Sequence, residues 1–249
     1  MRTIALALVG CLSFPAVAFG DSAEGAAKID ALYAKRDDPA SAKELEAAIS
    51  EALKASPDDY GILWRASRQK YWLSDALVIE DRLKKQLGKE GWALGDRATK
   101  VNPNGVEGLY FAAIGMGSYS QAAGILKALG EGIEGQYNER LDKAIKLNDD
   151  IDVAGPLVAK ARYYFELPWP KRDLTRSKEL FLKVLARHPG HLRAHAYLAE
   201  TLLKDGDAKA AKVEIDKALS GSIDYDPPEG RRIKEYAKPI AEKIQGELK

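Results

Sequence analysis

A small residue that recurs inside amphipathic helical patterns constrains this chain more than any other feature. Five segments share an amphipathic pattern, a small or apolar residue, and a stop signal five residues later. The recurring residue stands at intervals of 46, 46, 40 and 34 positions, and it is Ala52, Ala98, Ala144, Val184 and Ala218. Such an internal period predicts a stack of similar helical units, because each unit buries its apolar face only against its neighbours.

Each of these helices is expected to be the second member of a pair, since the shortest interval equals the 34-residue period of tetratricopeptide (TPR) repeats. The longer intervals fit TPR-like pairs with insertions. Counting on from the stops places the starts of the first helices near Tyr60, Val106, Asp152 and Leu192. The eighth residue of each first helix must be small where two helices cross, and these residues are Ser67, Ala113, Ala159 and Ala199.

The composition agrees with an all-α fold. Ala and Leu together supply 67 of the 249 residues, and both are strong helix formers. We therefore predict a TPR-like array of about five helix pairs with a C-terminal capping helix, in which residues 21–249 form a single domain. Connectors are expected at Ser74–Gly91, in the glycine-rich stretch 115–135, and at Pro168–Pro170, because glycine and proline clusters interrupt helices.

The N-terminus has the pattern of a targeting segment. A short basic start precedes the uncharged, mostly apolar run Ile4–Phe19, and the Ala16–Ala18 triplet fits an A-x-A cleavage site. This pattern predicts a signal peptide over residues 1–20 and an exported, periplasmic protein. Leu8–Cys11 also matches a bacterial lipoprotein box, so lipidation at Cys11 is an alternative, although its apolar core would be short.

Local motifs do not indicate an enzyme or a cofactor. Gly130–Gly135 spells G-x-G-x-x-G, but the preceding residues resemble a helix rather than the strand that a dinucleotide site requires. His188, His191 and His195 form a cluster, yet no Glu-x-x-His companion accompanies them, so packing is favoured over metal binding. Lys and Arg number 38 against 37 Asp and Glu, which gives no reason to expect a nucleic-acid partner. We expect a non-catalytic protein without cofactor or metal.

The repeat register predicts the residues of a binding groove. In a TPR stack the first helix of each pair lines the concave surface, and its positions 5, 9 and 12 face the groove. Aromatic walls with a few polar groups are typical of small-molecule sites, and two cations would suit a carboxylate. The predicted ligand-binding residues are Trp64, Arg68, Tyr71, Tyr110, Ile114, Lys160 and Tyr163. Alternatively, the aromatic residues fill gaps between helices.

Two stretches, EGLYFAA at Glu107–Ala113 and ARYYFELPWPKRDLTRSKELFLKVLARHPGHLRAHAYLAE at Ala161–Glu200, carry a family likeness. With the N-terminal pattern and the helix pairs, they resemble the T component of TatT-like TRAP transporters over roughly residues 45–220. Other exported TPR-like proteins and the regulator-of-microtubule-dynamics family have similar helix patterns. The resemblance implies a periplasmic, all-helical protein, in some members trimeric, that binds apolar ligands and meets a substrate-binding partner.

These observations lead to two main expectations of function, with a hydrolase whose site no local motif reveals as a third alternative. The first is an exported binding protein, associated with a TRAP transporter, that holds an apolar or organic-acid ligand and contacts a periplasmic binding protein or another envelope protein. The second is a cell-envelope assembly scaffold whose concave groove holds a peptide or a partner helix. Either expectation is compatible with a homo-oligomer. A closed apolar cavity would favour the first, and an open, wet groove the second.

Overall fold

The structure, a computed structural model, describes residues 18–77 and 80–249, and helices account for nearly all of its regular structure. We number the α-helices in chain order. They are α1 (Ala18–Tyr33), α2 (Pro39–Ala55), α3 (Tyr60–Trp72), α4 (Asp81–Val101), α5 (Val106–Ala123), α6 (Ile125–Gly130), α7 (Ile133–Leu147), α8 (Ile151–Glu166), α9 (Leu174–Arg187), α10 (Leu192–Lys204), α11 (Ala208–Ser220) and α12 (Pro227–Glu247). A π-helical turn, Leu73–Leu77, continues α3.

The predicted pairing of helices is confirmed. The pairs are α1 with α2, α3 with α4, α5 with α7, α8 with α9, and α10 with α11, while α12 packs against α10 and α11 as a cap. Three first helices begin at the predicted residues Tyr60, Val106 and Leu192, and α8 begins one residue before Asp152. Several starts are secured by an aspartate that accepts from a backbone N–H of the first turn, as Asp59 does from Ile62 at 2.8 Å.

The small residues of the repeat lie where helices cross. The four predicted crossing positions, Ser67, Ala113, Ala159 and Ala199, are all buried. Four of the recurring residues in the second helices are also fully buried, namely Ala98, Ala144, Val184 and Ala218. Close approach of the two helices in each pair therefore explains why these positions remain small while the surrounding sequence varies.

Two of the predicted connectors are wrong in part. α4 begins at Asp81 and α5 extends to Ala123, so much of both glycine-rich stretches is helical. The glycines serve as contact points instead. A Cβ on Gly88 would lie 2.5 Å from the backbone N of Tyr119, and one on Gly115 would overlap the backbone N of Trp92. The backbones of α4 and α5 touch there, which a larger side chain would prevent.

The array curves until its two ends meet. In the turn after α1, Arg36 pairs with Asp226 at 2.7 Å and Asp37 pairs with Arg231 at 2.6 Å. Asp75, in the turn after α3, lies 3.1 Å from Arg232 of α12. These contacts between the first and last units close the inner side of the array into a ring of helices.

Three expectations stay predictions. The proposed signal peptide lies mostly, and Cys11 entirely, outside the described residues, and α1 begins at Ala18 within the predicted 1–20 segment. The assignment of residues 21–249 to one domain also stays a prediction. In the described part of the chain, no helix combines the length and the apolar character needed to span a membrane.

Candidate functional site

The inner side of the ring encloses a cavity of about 190 Å³ that is partly open to solvent. Helices α1, α3, α5, α6, α7, α8, α10 and α12 contribute to its wall, together with the turns after α1, after α3 and before α12. Nine aromatic residues line it: Tyr33, Tyr71, Trp72, Tyr110, Phe111, Tyr137, Tyr163, Tyr197 and Tyr225. Aliphatic side chains from α5 to α8 complete an apolar side, including Ile114, Leu129, Ile133 and Val158.

Four of the seven predicted ligand-binding residues line this cavity: Tyr71, Tyr110, Ile114 and Tyr163. The Tyr163 hydroxyl donates to Glu134 at 2.8 Å, and its ring stacks on that of Tyr137 with centroids 5.6 Å apart. The Tyr110 hydroxyl donates to Asp152 at 3.0 Å. Their hydroxyls are therefore fixed, while their rings contribute to the wall. Their role in binding stays a prediction.

The other three predicted residues, Trp64, Arg68 and Lys160, do not line the cavity. Trp64 stacks on Phe111 with centroids 5.9 Å apart and fills space between helices. Arg68 forms an ion pair with Asp30 at 2.7 Å, and Lys160 forms one with Asp142 at 2.7 Å. The repeat register placed both cations on the inner face, but carboxylates of neighbouring helices draw them away from it.

Sequence reasoning missed the cation that occupies the polar side of the cavity. Arg193, in the first turn of α10, lies 2.6 Å from Glu229 and 3.5 Å from Asp75, and it donates to the Tyr71 hydroxyl. Arg232 lies 3.1 Å from both Glu229 and Asp75. Although burial opposes ionisation of Glu229, the two guanidinium groups lower its pKa to about 2. More than a hundred residues separate Asp75 from Arg193, so no local sequence pattern predicts this network.

A left-handed turn at the start of α8 shapes the neighbouring part of the wall. Asp152, Val153 and Ala154 have φ values of 51°, 53° and 59°, a conformation that costs non-glycine residues energy and is rare for β-branched valine. His191 is hydrogen-bonded to the backbone of Val153, and burial is the main cause that lowers the His191 pKa to about 4. Gly155 permits the turn to approach Tyr110, because a Cβ there would overlap the tyrosine oxygen.

Asp152 is placed by this turn at the cavity wall. Its residue surface is exposed, and it lines the partly open cavity. The surrounding protein displaces bulk water and thereby raises the pKa of Asp152, against the opposing effects of the Tyr110 hydrogen bond and the charge of Arg193. A carboxylate in this setting gains more from a partner than one in bulk water.

The histidines of the sequence cluster have structural contacts. His191 is the N-cap of α10, where its Nδ1 accepts from the backbone N–H of Ala194 at 3.3 Å. Both ring nitrogens of His195 are engaged, with Glu214 at 2.6 Å and with the carbonyl oxygen of Pro189 at 2.9 Å. Within the described residues, no group of three His, Cys, Asp or Glu side chains has the arrangement of a metal site.

The fold and the cavity define a TPR-like helical-repeat protein whose inner face surrounds a small aromatic-lined space. Comparison with known families is consistent with this class. Residues 26–173 match the family described as regulator of microtubule dynamics protein 1-3, which is more than half of the chain. The chain belongs to this family. No curated protein matches the chain.

Two solved structures give the wider context. The chain resembles the crystal structure of TTC0263, a thermophilic TPR protein of Thermus thermophilus, with a TM-score of 0.64 and 18% sequence identity over 88% of this chain and 98% of that chain. This likeness establishes the TPR-like fold. Yeast Tom70 aligns with a TM-score of 0.39 and 16% identity over 82% of this chain and 44% of that chain, which is too low to bear on the fold.

Proposed function

We propose that the chain is a non-catalytic binding protein whose inner cavity holds a small, largely apolar ligand, while its outer helices contact a protein partner. The observation that carries the proposal is the aromatic-lined cavity on the inner side of a closed ring of TPR-like helices. Small-molecule sites have this character: concave, mostly apolar, with a few polar groups that fix orientation. Helical-repeat arrays present extended surfaces to proteins, which supports the second part.

The size of the cavity favours a small ligand over a peptide. An engineered apolar cavity of about 150 Å³ binds benzene, so a cavity of about 190 Å³ suits one ring with a short substituent. A helix with its side chains is about 10 Å across and needs far more room. The envelope-scaffold alternative requires a site for a partner helix. Such a helix would therefore fit the outer face of the array better than the inner face.

The organic-acid ligand of the sequence interpretation loses its main support. That expectation depended on Arg68 and Lys160, and both have carboxylate partners outside the cavity. Export to the periplasm continues to depend on the N-terminal pattern alone, and association with a TRAP transporter on the sequence resemblance alone. A periplasmic binding protein or another envelope protein remains the proposed partner, and a homo-oligomer remains compatible with the fold.

A substitution that fills the cavity tests the ligand proposal. Gly117 lines the cavity on α5, and a Cβ there makes only an ordinary contact of 3.6 Å with Tyr137. Gly117→Leu should therefore fold and occupy the ligand space. Gly135→Leu on α7 is the matched control, because it makes the same change on a helix at an exposed position with nothing within 4 Å.

The measurement is ligand-observed NMR with benzyl alcohol, an uncharged ring with a short substituent. We expect saturation transfer from the wild-type protein and from Gly135→Leu, and its loss in Gly117→Leu. Circular dichroism of all three proteins checks that they are folded. Equal transfer in both variants, or none from the wild type, would contradict the proposal.

A further inference from the structure

The charges around the cavity indicate what kind of ligand it takes. Six carboxylate residues line it, against three arginines and no lysine among the described residues. Each of the three arginines is already paired: Arg36 with Asp226 at 2.7 Å, Arg162 with Glu166 at 2.6 Å, and Arg193 with Glu229 at 2.6 Å. The wall therefore has no spare positive charge for an anion, and it has negative charge in excess.

One of the six carboxylates differs from the rest. Asp75, Glu134, Glu166, Asp226 and Glu229 each have a cationic side chain within 4 Å. Asp152 has none in the described part of the chain, and its one side-chain hydrogen bond is the donation from Tyr110. A carboxylate has about four acceptor positions, so most of the acceptor capacity of Asp152, which lines the cavity, is left unused by the described protein groups.

Resting on the proposed function, we propose that the ligand is a small organic cation whose ammonium or guanidinium group pairs with Asp152, while the aromatic and aliphatic wall holds its apolar body. Arg193, the cation with the largest electrostatic effect on Asp152, does not oppose this arrangement, because Glu229 and Asp75 neutralise it. The ring of Tyr110, whose hydroxyl donates to Asp152, also lines the cavity, and ring faces attract ammonium and guanidinium groups.

The left-handed turn supports a binding role for Asp152. An ordinary start of α8 would avoid three successive residues with positive φ, and a strained backbone of this kind is common where a side chain must be aimed at a ligand. The turn is held by His191 on one side and approached by Tyr110 across Gly155 on the other. The fold thereby holds the Asp152 carboxylate at a defined position on the wall.

An isosteric ligand series tests the proposal by calorimetric titration at pH 7.5. Benzylammonium, benzyl alcohol and benzoate share a ring and differ in charge. We expect benzylammonium to bind the wild-type protein about tenfold more tightly than the alcohol, as a charge-assisted hydrogen bond implies, and benzoate to bind most weakly. Capped lysine amide, added as a fourth ligand, stands for the side chain of a partner protein, and tighter binding of capped lysine amide than of benzylammonium would overturn the assignment to a small organic cation.

Asp152→Asn should abolish the preference for the cation, so that benzylammonium binds no more tightly than benzyl alcohol. Asp150→Asn is the control, since it removes a carboxylate two residues away that pairs with His188 and does not line the cavity. Equal affinity of the wild type for benzylammonium and benzyl alcohol, or an undiminished preference in Asp152→Asn, would overturn the inference. If the inference fails in this way, benzyl alcohol that binds the wild type but not Gly117→Leu would show that the proposed function still stands.

Discussion

Asp152 and Glu229 line the same cavity, and burial raises the pKa of both, yet the net pKa shifts of the two carboxyl groups have opposite signs. Two guanidinium groups hold the pKa of Glu229 at about 2, whereas the pKa of Asp152 is raised because only a tyrosine hydroxyl and more distant charges compensate for the surrounding protein. Glu229 is therefore charged at all ordinary pH values. Of the two residues, Asp152, the proposed binding carboxylate, is protonated first as the pH falls.

Ligand affinity should depend on pH through Asp152. Because its pKa is raised in the free protein, protonation should weaken benzylammonium binding at a higher pH than the ordinary aspartate pKa of about 3.9. Titrations of benzylammonium from pH 7.5 downward provide the measurement. Benzyl alcohol affinity should stay level over the range in which the protein remains folded, and a parallel decline of both ligands would contradict this prediction.

Folding stability should fall in mild acid because of His191. Its pKa of about 4 in the folded protein lies below the unfolded value of about 6.5, so the unfolded chain binds more protons between these values and stability is lost as pH falls. The expected loss between pH 7.5 and 5 is about 2 kcal/mol. Asparagine is a good N-cap without a titrating group, so urea unfolding of His191→Asn should lack this loss. An identical pH dependence in both proteins would refute the assignment.

At the scale of the elements, the repeat pattern in the sequence predicted most of the architecture. Helix starts at Tyr60, Val106 and Leu192 followed from counting, because caps and small residues at crossings are local signals. The glycines of α4 and α5 were misread as connectors. Glycine favours turns and also permits backbone contact between helices, and only the partner helix decides which use applies.

The contact between α4 and α5 gives a prediction at this scale. In Gly95→Ala the new Cβ would meet the backbone of Ala112 at 2.5 Å, so the helices must separate, and we expect a loss of about 1–3 kcal/mol. Gly246→Ala on α12 is the control, since nothing lies within 4 Å of its new Cβ and alanine favours helix. Thermal unfolding of both variants is the measurement, and an unchanged or raised melting temperature for Gly95→Ala would contradict the packing account.

For the whole molecule, the decisive feature is that the two ends of the array meet. This closure was beyond sequence reasoning, because it depends on side chains about 190 residues apart, such as Arg36 and Asp226. The position of Asp152 was equally hidden, since its turn departs from the helical start that the repeat predicts. Three cavity tyrosines, Tyr71, Tyr110 and Tyr163, could be anticipated because they follow the repeat register of α3, α5 and α8.

Closure of the ring should depend on Arg232. Its side chain is mostly buried and pairs with both Asp75 and Glu229, so Arg232→Gln leaves buried carboxylates with one cation fewer. Removing one partner of a buried pair costs about 3–5 kcal/mol. Lys238→Gln on the same helix removes an exposed pair with Glu235 and should cost almost nothing.

Urea unfolding and amide hydrogen exchange measure this difference. We expect faster exchange in the turn after α3 and in α12 for Arg232→Gln only. Protection that is equal in the two variants would show that the charged network does not hold the ends together.

A crystal structure with 4-bromobenzylammonium would show whether the inner cavity binds a small organic cation through Asp152. We expect a bromine anomalous peak on the apolar side of the cavity, with the ligand nitrogen within hydrogen-bond distance of a carboxylate oxygen of Asp152. A cavity without the ligand, or a ligand whose nitrogen points away from Asp152, would contradict it.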